Sequence, residues 1–156
     1  MHAEPAVVPG ELRDWLDQAV RGGASDLHLT VGYPPTLRLH GDLTELAEPP
    51  LTGESADALL AALCPADDRG RLRSHKEADF SFEASAGGRP TRFRAHLFHA
   101  AGHLGACLRV VPAGIPEFDW AGFPVELAER LAYLRDGLVI LTGPTGSGKT
   151  TTLAMV

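Results

Sequence analysis

The sequence predicts an α/β chain: one mixed α/β domain over residues 1–111, then the opening of a second unit from about residue 125. Three observations lead there. Apolar and polar residues alternate in several short runs, SDLHLTV, ADFSFEA, TRFRAHLF and LGACLRVV, each bounded by Gly, Pro or charged residues, as half-buried strands require. Between them lie segments whose apolar residues recur at helical spacing. Near the end, the apolar run LVILTG leads straight into the glycine-rich GPTGSGKTTT, a strand–loop–helix signature.

Taken in order, Leu12, Trp15, Leu16, Ala19 and Val20 share one helical face, and Gly22 and Gly23 stop that helix. The first strand places Leu27, Leu29 and Val31 on one face, with Asp26, His28 and Thr30 on the other. YPP breaks it, and TLRLHGDLTEL gives two short alternating pieces about a turn at Gly41. A helix from about Gly53 to Leu63 follows, with Thr52 as its N-cap. DDRGRLRSHKE is charged and weakly helical. Ala78, Phe80, Phe82 and Ala84 then line one strand face, SAGGRP turns the chain, and two more strands flank HAAGH. Residues 112–124, carrying Pro112, Gly114, Pro116, Gly122 and Pro124, read as a linker. The helical VELAERLAYLRDG and the strand LVILTG open the second unit.

Composition narrows the classes. The chain is 44% hydrophobic and 22% charged, ordinary for a globular protein. A net charge of -6 opposes general binding to nucleic acid or an anionic membrane. Cys64 and Cys107 form no CxxC pair, so neither a four-thiolate zinc site nor a disulfide framework is supported. The start MHAEPAVVPGEL has no basic segment followed by an apolar run, and Leu138 to Leu141 is too short for a membrane span. A cytoplasmic location is expected.

Residues 143–150 fit the phosphate-binding pattern GxxxxGK[ST]. The chemistry requires these residue types. Gly143, Gly146 and Gly148 let successive backbone N–H groups turn toward phosphate oxygens, with Pro144, Thr145 and Ser147 completing the loop. Lys149 reaches the β- and γ-phosphates, the Thr150 hydroxyl is a ligand for Mg²⁺, and Thr151 follows on the same helix. ATP and Mg²⁺ are therefore the expected ligands. A merely structural glycine turn is the bland alternative, and the strand-before, helix-after context disfavours it.

The hairpin TRFRAHLFHAAGHLGACLRVV holds a second feature. If Ala101 and Gly102 form its turn, Phe93 faces Val110, Ala95 faces Leu108 and Leu97 faces Ala106, giving one consistently apolar face. The same register sets Arg94 opposite Arg109, and His96 opposite Cys107. Two cations that close repel by roughly 1–4 kcal/mol. Either they splay into water or pair with Asp79 or Glu83, or an anion belongs between them. His96, His99 and His103 share the hairpin, but they need not converge and no acid accompanies them, so a polar surface is favoured over a metal site. For Asp26 and His28, a polar strand face is likewise favoured over a catalytic pair.

The segments ASDLHLTVGYPPTLRLHGDL, ADFSFE, RFRAHLF, LRVVP, IPEF and GLVILTGPTGSGKTTTLA occur in the order seen in type IV pilus retraction ATPases. The chain, from about residue 10 onward, resembles these PilT-like twitching motility proteins of the secretion ATPase superfamily. The resemblance implies a PAS-like mixed-sheet N-terminal domain, a flexible linker, and the beginning of a RecA-like P-loop ATPase domain. It further implies a homo-hexamer that works with inner-membrane components of the pilus machine and lies against the inner face of the membrane. No nucleic acid partner and no membrane insertion are implied. Arg94 and Arg109 fall where the family's N-domain arginines reach the nucleotide's phosphates across the subunit interface.

The family's acidic boxes, Walker B segment and histidine box have no counterpart up to Val156, so the 156-residue chain alone is expected to be inactive. A pilus-assembly or type II secretion ATPase, and a non-catalytic interaction module, stand as alternatives. A DNA-processing ATPase would share only the loop. Replacing Arg94 or Arg109 by alanine in the complete protein is expected to reduce turnover far more than folding stability.

Overall fold

The structure, a computed structural model, describes residues 8–114, 118, 122–144 and 147–156. Contacts divide the chain after Pro112 into two compact units.

In the first unit, helix α1 (Gly10–Arg21) is followed by strands β1 (Asp26–Leu29), β2 (Thr36–Leu39) and β3 (Asp42–Glu45). Helices α2 (Gly53–Leu63) and α3 (Ala66–His75) come next, then the long strands β4 (Glu77–Ala86), β5 (Arg89–Ala100) and β6 (His103–Val111). They form one six-stranded sheet in the order β3-β2-β1-β6-β5-β4. Every neighbouring pair is antiparallel. The α/β class is as expected, but the sheet is antiparallel throughout rather than mixed. The reason is local: each three-strand half is a meander of tight hairpins or short turns, which can only reverse direction. The two halves meet where β1 pairs with β6.

The turns fix the register. His40–Gly41, Gly87–Gly88 and Ala101–Gly102 each place both central residues at positive φ, the two-residue geometry that matches strand twist. The expected pairing of β5 with β6 follows, including Arg94 with Arg109 and His96 with Cys107. The first strand is shorter than its alternation suggests. It ends at Leu29, because Thr30 and Val31 enter a turn in which the Tyr33 N–H donates to the Thr30 carbonyl.

Apolar side chains of the sheet face the helices. Leu27, Leu29, Phe93, Leu97 and Leu108 are fully buried with Leu12, Leu16, Leu60 and Leu63 of α1 and α2. Each contributes about 1.5–3 kcal/mol by leaving water. α1 packs on β4 and β1, α2 on β6, and α3 on β4. Thr52 caps α2 as expected, its Oγ1 accepting from the Ser55 N–H at 3.1 Å. Two carboxylates fasten helices to hairpins. Asp17 of α1 accepts from the Gly87 N–H at 2.8 Å, and Asp57 of α2 accepts from the Leu104 N–H at 2.7 Å.

At the junction of the two half-sheets, the register sets Arg38, Asp26 and Arg109 in a row across β2, β1 and β6. Asp26 is 3% exposed. Its Oδ1 accepts from Arg109 Nε at 2.8 Å, its Oδ2 from Ser25 Oγ at 2.8 Å, and Arg38 Nε lies 3.9 Å away. Burial alone would raise the Asp26 carboxyl. The hydrogen bonds from Arg109 and Ser25 outweigh it, so the group sits below the ordinary carboxylate range.

The second unit contains helices α4 (Val125–Ala132) and α5 (Lys149–Met155). The expected strand at LVILTG is not one. A strand needs a neighbour to take its N–H and C=O groups, and none of the described residues runs beside it. Leu138, Val139, Ile140 and Leu141 are exposed accordingly. No described helix is long and apolar enough to cross a membrane.

Two outcomes follow. Gly70 lies mid-helix in α3 with open space where a Cβ would sit, so Gly70→Ala raises stability by about 0.5–1 kcal/mol in urea melts. A carboxylate with a lowered native pKa stabilises above its unfolded pKa and loses that contribution as pH falls through the native value. Asp26→Asn therefore flattens the fall in stability below about pH 4 relative to the parent, measured by denaturant midpoint against pH.

Candidate functional site

The phosphate-loop residues cluster at the start of α5. Gly148 precedes the helix at φ 82°, a left-handed conformation that a side chain would strain. A Cβ on Gly143 would come within 2.7 Å of Ser147 Oγ. The Ser147 N–H donates to the Pro144 carbonyl at 3.3 Å, and the Thr152 N–H to the Gly148 carbonyl at 2.8 Å, which closes the first helical turn. Lys149 Nζ donates to the carbonyls of Gly143 at 2.8 Å and Pro144 at 2.6 Å, so its ammonium lies on the loop itself. Thr150 and Thr151 occupy the next two helical positions, with Thr150 exposed. Thr145 and Gly146 lie outside the described residues.

These residues fit a nucleotide phosphate and its metal ion by their donor set. The loop brings an ammonium, backbone N–H groups at a helix start and a threonine hydroxyl into one short stretch, with glycine at the crowded position. Lys149 and the loop amides would hold phosphate oxygens, and the Thr150 hydroxyl would be a hard oxygen ligand for Mg²⁺.

The second cluster lies on the sheet face opposite the one on which α1, α2 and α3 of the first unit pack. Strand pairing there sets out two polar rows. One runs Arg38, Asp26, Arg109, Arg94, Ser81, and the next Thr36, His28, Cys107, His96, Asp79. The facing arginines are not left to repel. Arg109 pairs with Asp26, and Arg94 Nη2 lies 3.4 Å from Asp79 Oδ1. Of the alternatives the sequence leaves open, pairing with Asp79 is what Arg94 does. Asp26, the partner of Arg109, is legible only once β1 is placed beside β6.

The two arginines differ in how tightly they are held. Both side chains are 65% exposed, but Arg109 bonds a buried carboxylate at short range, and Arg94 a half-exposed one at long range. The bond to Asp26 raises the Arg109 pKa further above neutrality. Removing Arg109 would leave the buried Asp26 with Ser25 and the more distant Arg38, so a stability cost is expected beside any effect on chemistry. Asp79, Arg94, His96, Cys107 and Arg109 line a cavity of about 410 Å³, so both guanidinium groups open onto one hollow.

The remaining candidates disperse. His96 Nδ1 lies 3.2 Å from Asp79, His103 Nδ1 lies 3.0 Å from Asp57, and His99 stands at the end of β5. Acids accompany two of the three after all, from β4 and α2. Among the described residues no group of three or more metal-ligating side chains converges. Asp26 and His28 do not act as a catalytic pair: Asp26 is committed to Arg109, and His28 Nε2 is buried without a hydrogen-bond partner. Burial, then the nearby Arg38, lowers the His28 pKa. Burial, then Asp26, raises that of the Cys107 thiol, which therefore stays protonated. Arg38 is the site-supporting residue that the linear reading passes over.

Known proteins resemble this chain over most of its length. The chain is 36% identical over 144 residues to the type IV pilus retractation ATPase PilT of Pseudomonas aeruginosa, covering 92% of this chain and 41% of that protein. It is 31% identical over 120 residues to a twitching motility protein of Neisseria gonorrhoeae, covering 77% and 31%. The crystal structure of the pilus retraction motor PilT with bound ADP superposes with a TM-score of 0.78 at 40% identity, covering 92% of this chain and 41% of that one. The X-ray structure of the Legionella pneumophila ATPase DotB gives 0.77 at 26% identity, covering 97% and 42%. The chain thus spans less than half the length of the relatives it matches. The family model for type II/IV secretion system proteins matches residues 2–156, and the chain belongs to that family.

Proposed function

We propose that this chain is the nucleotide-binding portion of a hexameric ATPase that powers type IV pilus retraction. In this reading residues 1–111 are the N-terminal domain, 112–124 a flexible linker, and 125–156 the opening of the ATPase domain. The observation that carries it is the reach of the similarity. The likeness to a retraction ATPase covers 92% of the chain, sheet domain and phosphate loop alike, where a generic nucleotide-binding protein would share the loop alone. A pilus-assembly ATPase of Pseudomonas aeruginosa matches at lower identity, 27%, which ranks assembly second. The complete protein works in the cytoplasm against the membrane-embedded pilus machine.

The chemistry follows from residue types. Bound Mg²⁺ would supply Lewis-acid neutralisation of the triphosphate. The loop amides orient the phosphates, and Lys149 exchanges its contacts with the Gly143 and Pro144 carbonyls for phosphate oxygens. The Thr150 hydroxyl would hold the metal. Arg94 and Arg109, presented by a neighbouring subunit, compensate negative charge that develops on the transferred phosphoryl group. Arg94 is the freer of the two, since its contact with Asp79 is long and exposed. Arg109 is the fixed one, oriented by Asp26.

Three substitutions in the complete protein test this together. Lys149→Ala abolishes binding of a fluorescent ATP analogue. Arg94→Ala lowers ATP turnover by roughly 10²–10³-fold with an unchanged melting temperature. Arg109→Ala lowers turnover similarly and costs about 1–3 kcal/mol of stability, because Asp26 stays buried with less compensation. Turnover within two-fold of the parent in both arginine variants would return them to a structural role.

A further inference from the structure

Asp26 divides its two carboxylate oxygens between neighbouring strands. Oδ1 accepts from Arg109 Nε of β6 at 2.8 Å. Oδ2 accepts from Ser25 Oγ at 2.8 Å, and Arg38 Nε of β2 stands 3.9 Å from the same oxygen. Ser25, the residue before β1, is held for this task by its backbone. Its N–H donates to the Arg38 carbonyl at 2.9 Å, and its carbonyl accepts from the Val110 N–H at 3.0 Å. The residue is thus tied to β2 on one side and β6 on the other, although it is exposed. The consequence falls on Arg109. Arginine and carboxylate readily form a two-point pair, in which both oxygens meet two guanidinium nitrogens. Here one oxygen already has a close donor, and Arg109 bonds the other through Nε. Among the described residues that is the one hydrogen bond its guanidinium makes. The terminal nitrogens are left over, on a side chain that lines the hollow shared with Arg94.

We propose, building on the phosphate-facing role read for Arg109, that Ser25 is a positioning residue for that arginine. By occupying Oδ2 it denies Asp26 a two-point grip on Arg109 and keeps the terminal nitrogens open to phosphate oxygens. Ser25 acts through Asp26 and does not itself touch the nucleotide. Arg38 is a more distant partner of the same oxygen, its own guanidinium tethered by the Nη1 bond to the Gly41 carbonyl at 2.9 Å. Without the hydroxyl, Oδ2 is a buried acceptor that has lost its close donor, and such an atom turns to the strongest donor in reach. That donor is the Arg109 fork, which the phosphate then loses. A polar residue in a turn accounts for the exposure of Ser25, but not for a hydroxyl committed to a buried carboxylate.

Nuclear magnetic resonance of the Arg109 guanidinium in the 156-residue chain reads the pairing directly. Its terminal nitrogens are expected to rotate freely in the parent. In Ser25→Ala their rotation slows and their signals split, as a two-point pair requires. Ser25→Thr keeps the hydroxyl and restores the parent signal. In the complete protein, Ser25→Ala lowers kcat about ten-fold with KM within about two-fold of the parent, and Ser25→Thr recovers it. In an Arg109→Ala background the Ser25→Ala change has no further effect, because the two residues act through one bond. Unaltered Arg109 signals in Ser25→Ala, or a parental kcat, overturns the proposal. So does a loss of kcat that Ser25→Thr fails to restore, or one that persists undiminished beside Arg109→Ala. Parental turnover in Arg109→Ala alone is a separate result: it overturns the role of Arg109 itself, and this inference with it.

Discussion

The buried carboxylate of Asp26 is the interaction on which the working face of the first unit depends. Among the described residues β1 and β6 join the two three-strand halves of the sheet, and Asp26 sits at that join with Arg38 on one side and Arg109 on the other. A buried carboxylate without partners would cost several kcal/mol. With Arg109, Ser25 and Arg38 around it, the same group pins β2, β1 and β6 in register. It also fixes the guanidinium of Arg109 where the outer face opens. Stability and orientation are thus tied to a single side chain.

Arg94 opposite Arg109 is unfavourable in isolation, and the fold answers with two carboxylates, one on each flank. The answer is uneven. Asp26 is buried and close to its arginine, while Asp79 is half-exposed, lies farther off, and also meets His96. One cation bonds its carboxylate at short range and the other at long range beside a common hollow, so under the proposed role an arriving anion would displace only the weaker pair. The phosphate loop in the second unit shows a related economy, with Lys149 resting on two loop carbonyls that a stronger acceptor would replace.

Much of this was legible in the linear sequence wherever the deciding contacts are local. The Ala101–Gly102 turn dictates the whole β5–β6 register, and Thr52 caps α2 through a residue three positions away. The phosphate loop declares itself by spacing. Contacts between distant segments were not legible. Nothing in SDLHL says that Asp26 will meet Arg109, and nothing in α1 or α2 says that Asp17 and Asp57 will reach hairpin amides. LVILTG reads as a strand from composition, yet a strand is a relation between two segments, and that run has no partner among the described residues. Alternation also overran the end of β1, because a turn at Thr30 took precedence over a pattern that continued to Val31.

The central claim is that the arginine face of one subunit and the phosphate loop of another act on the same triphosphate. Mixing two dead variants of the complete protein tests it most directly. Lys149→Ala subunits keep the arginines, and Arg94→Ala subunits keep the loop. Assembled together, they should hydrolyse ATP well above either variant alone, because mixed interfaces restore a complete site. Mixed rings no more active than the average of the two parents would contradict the account.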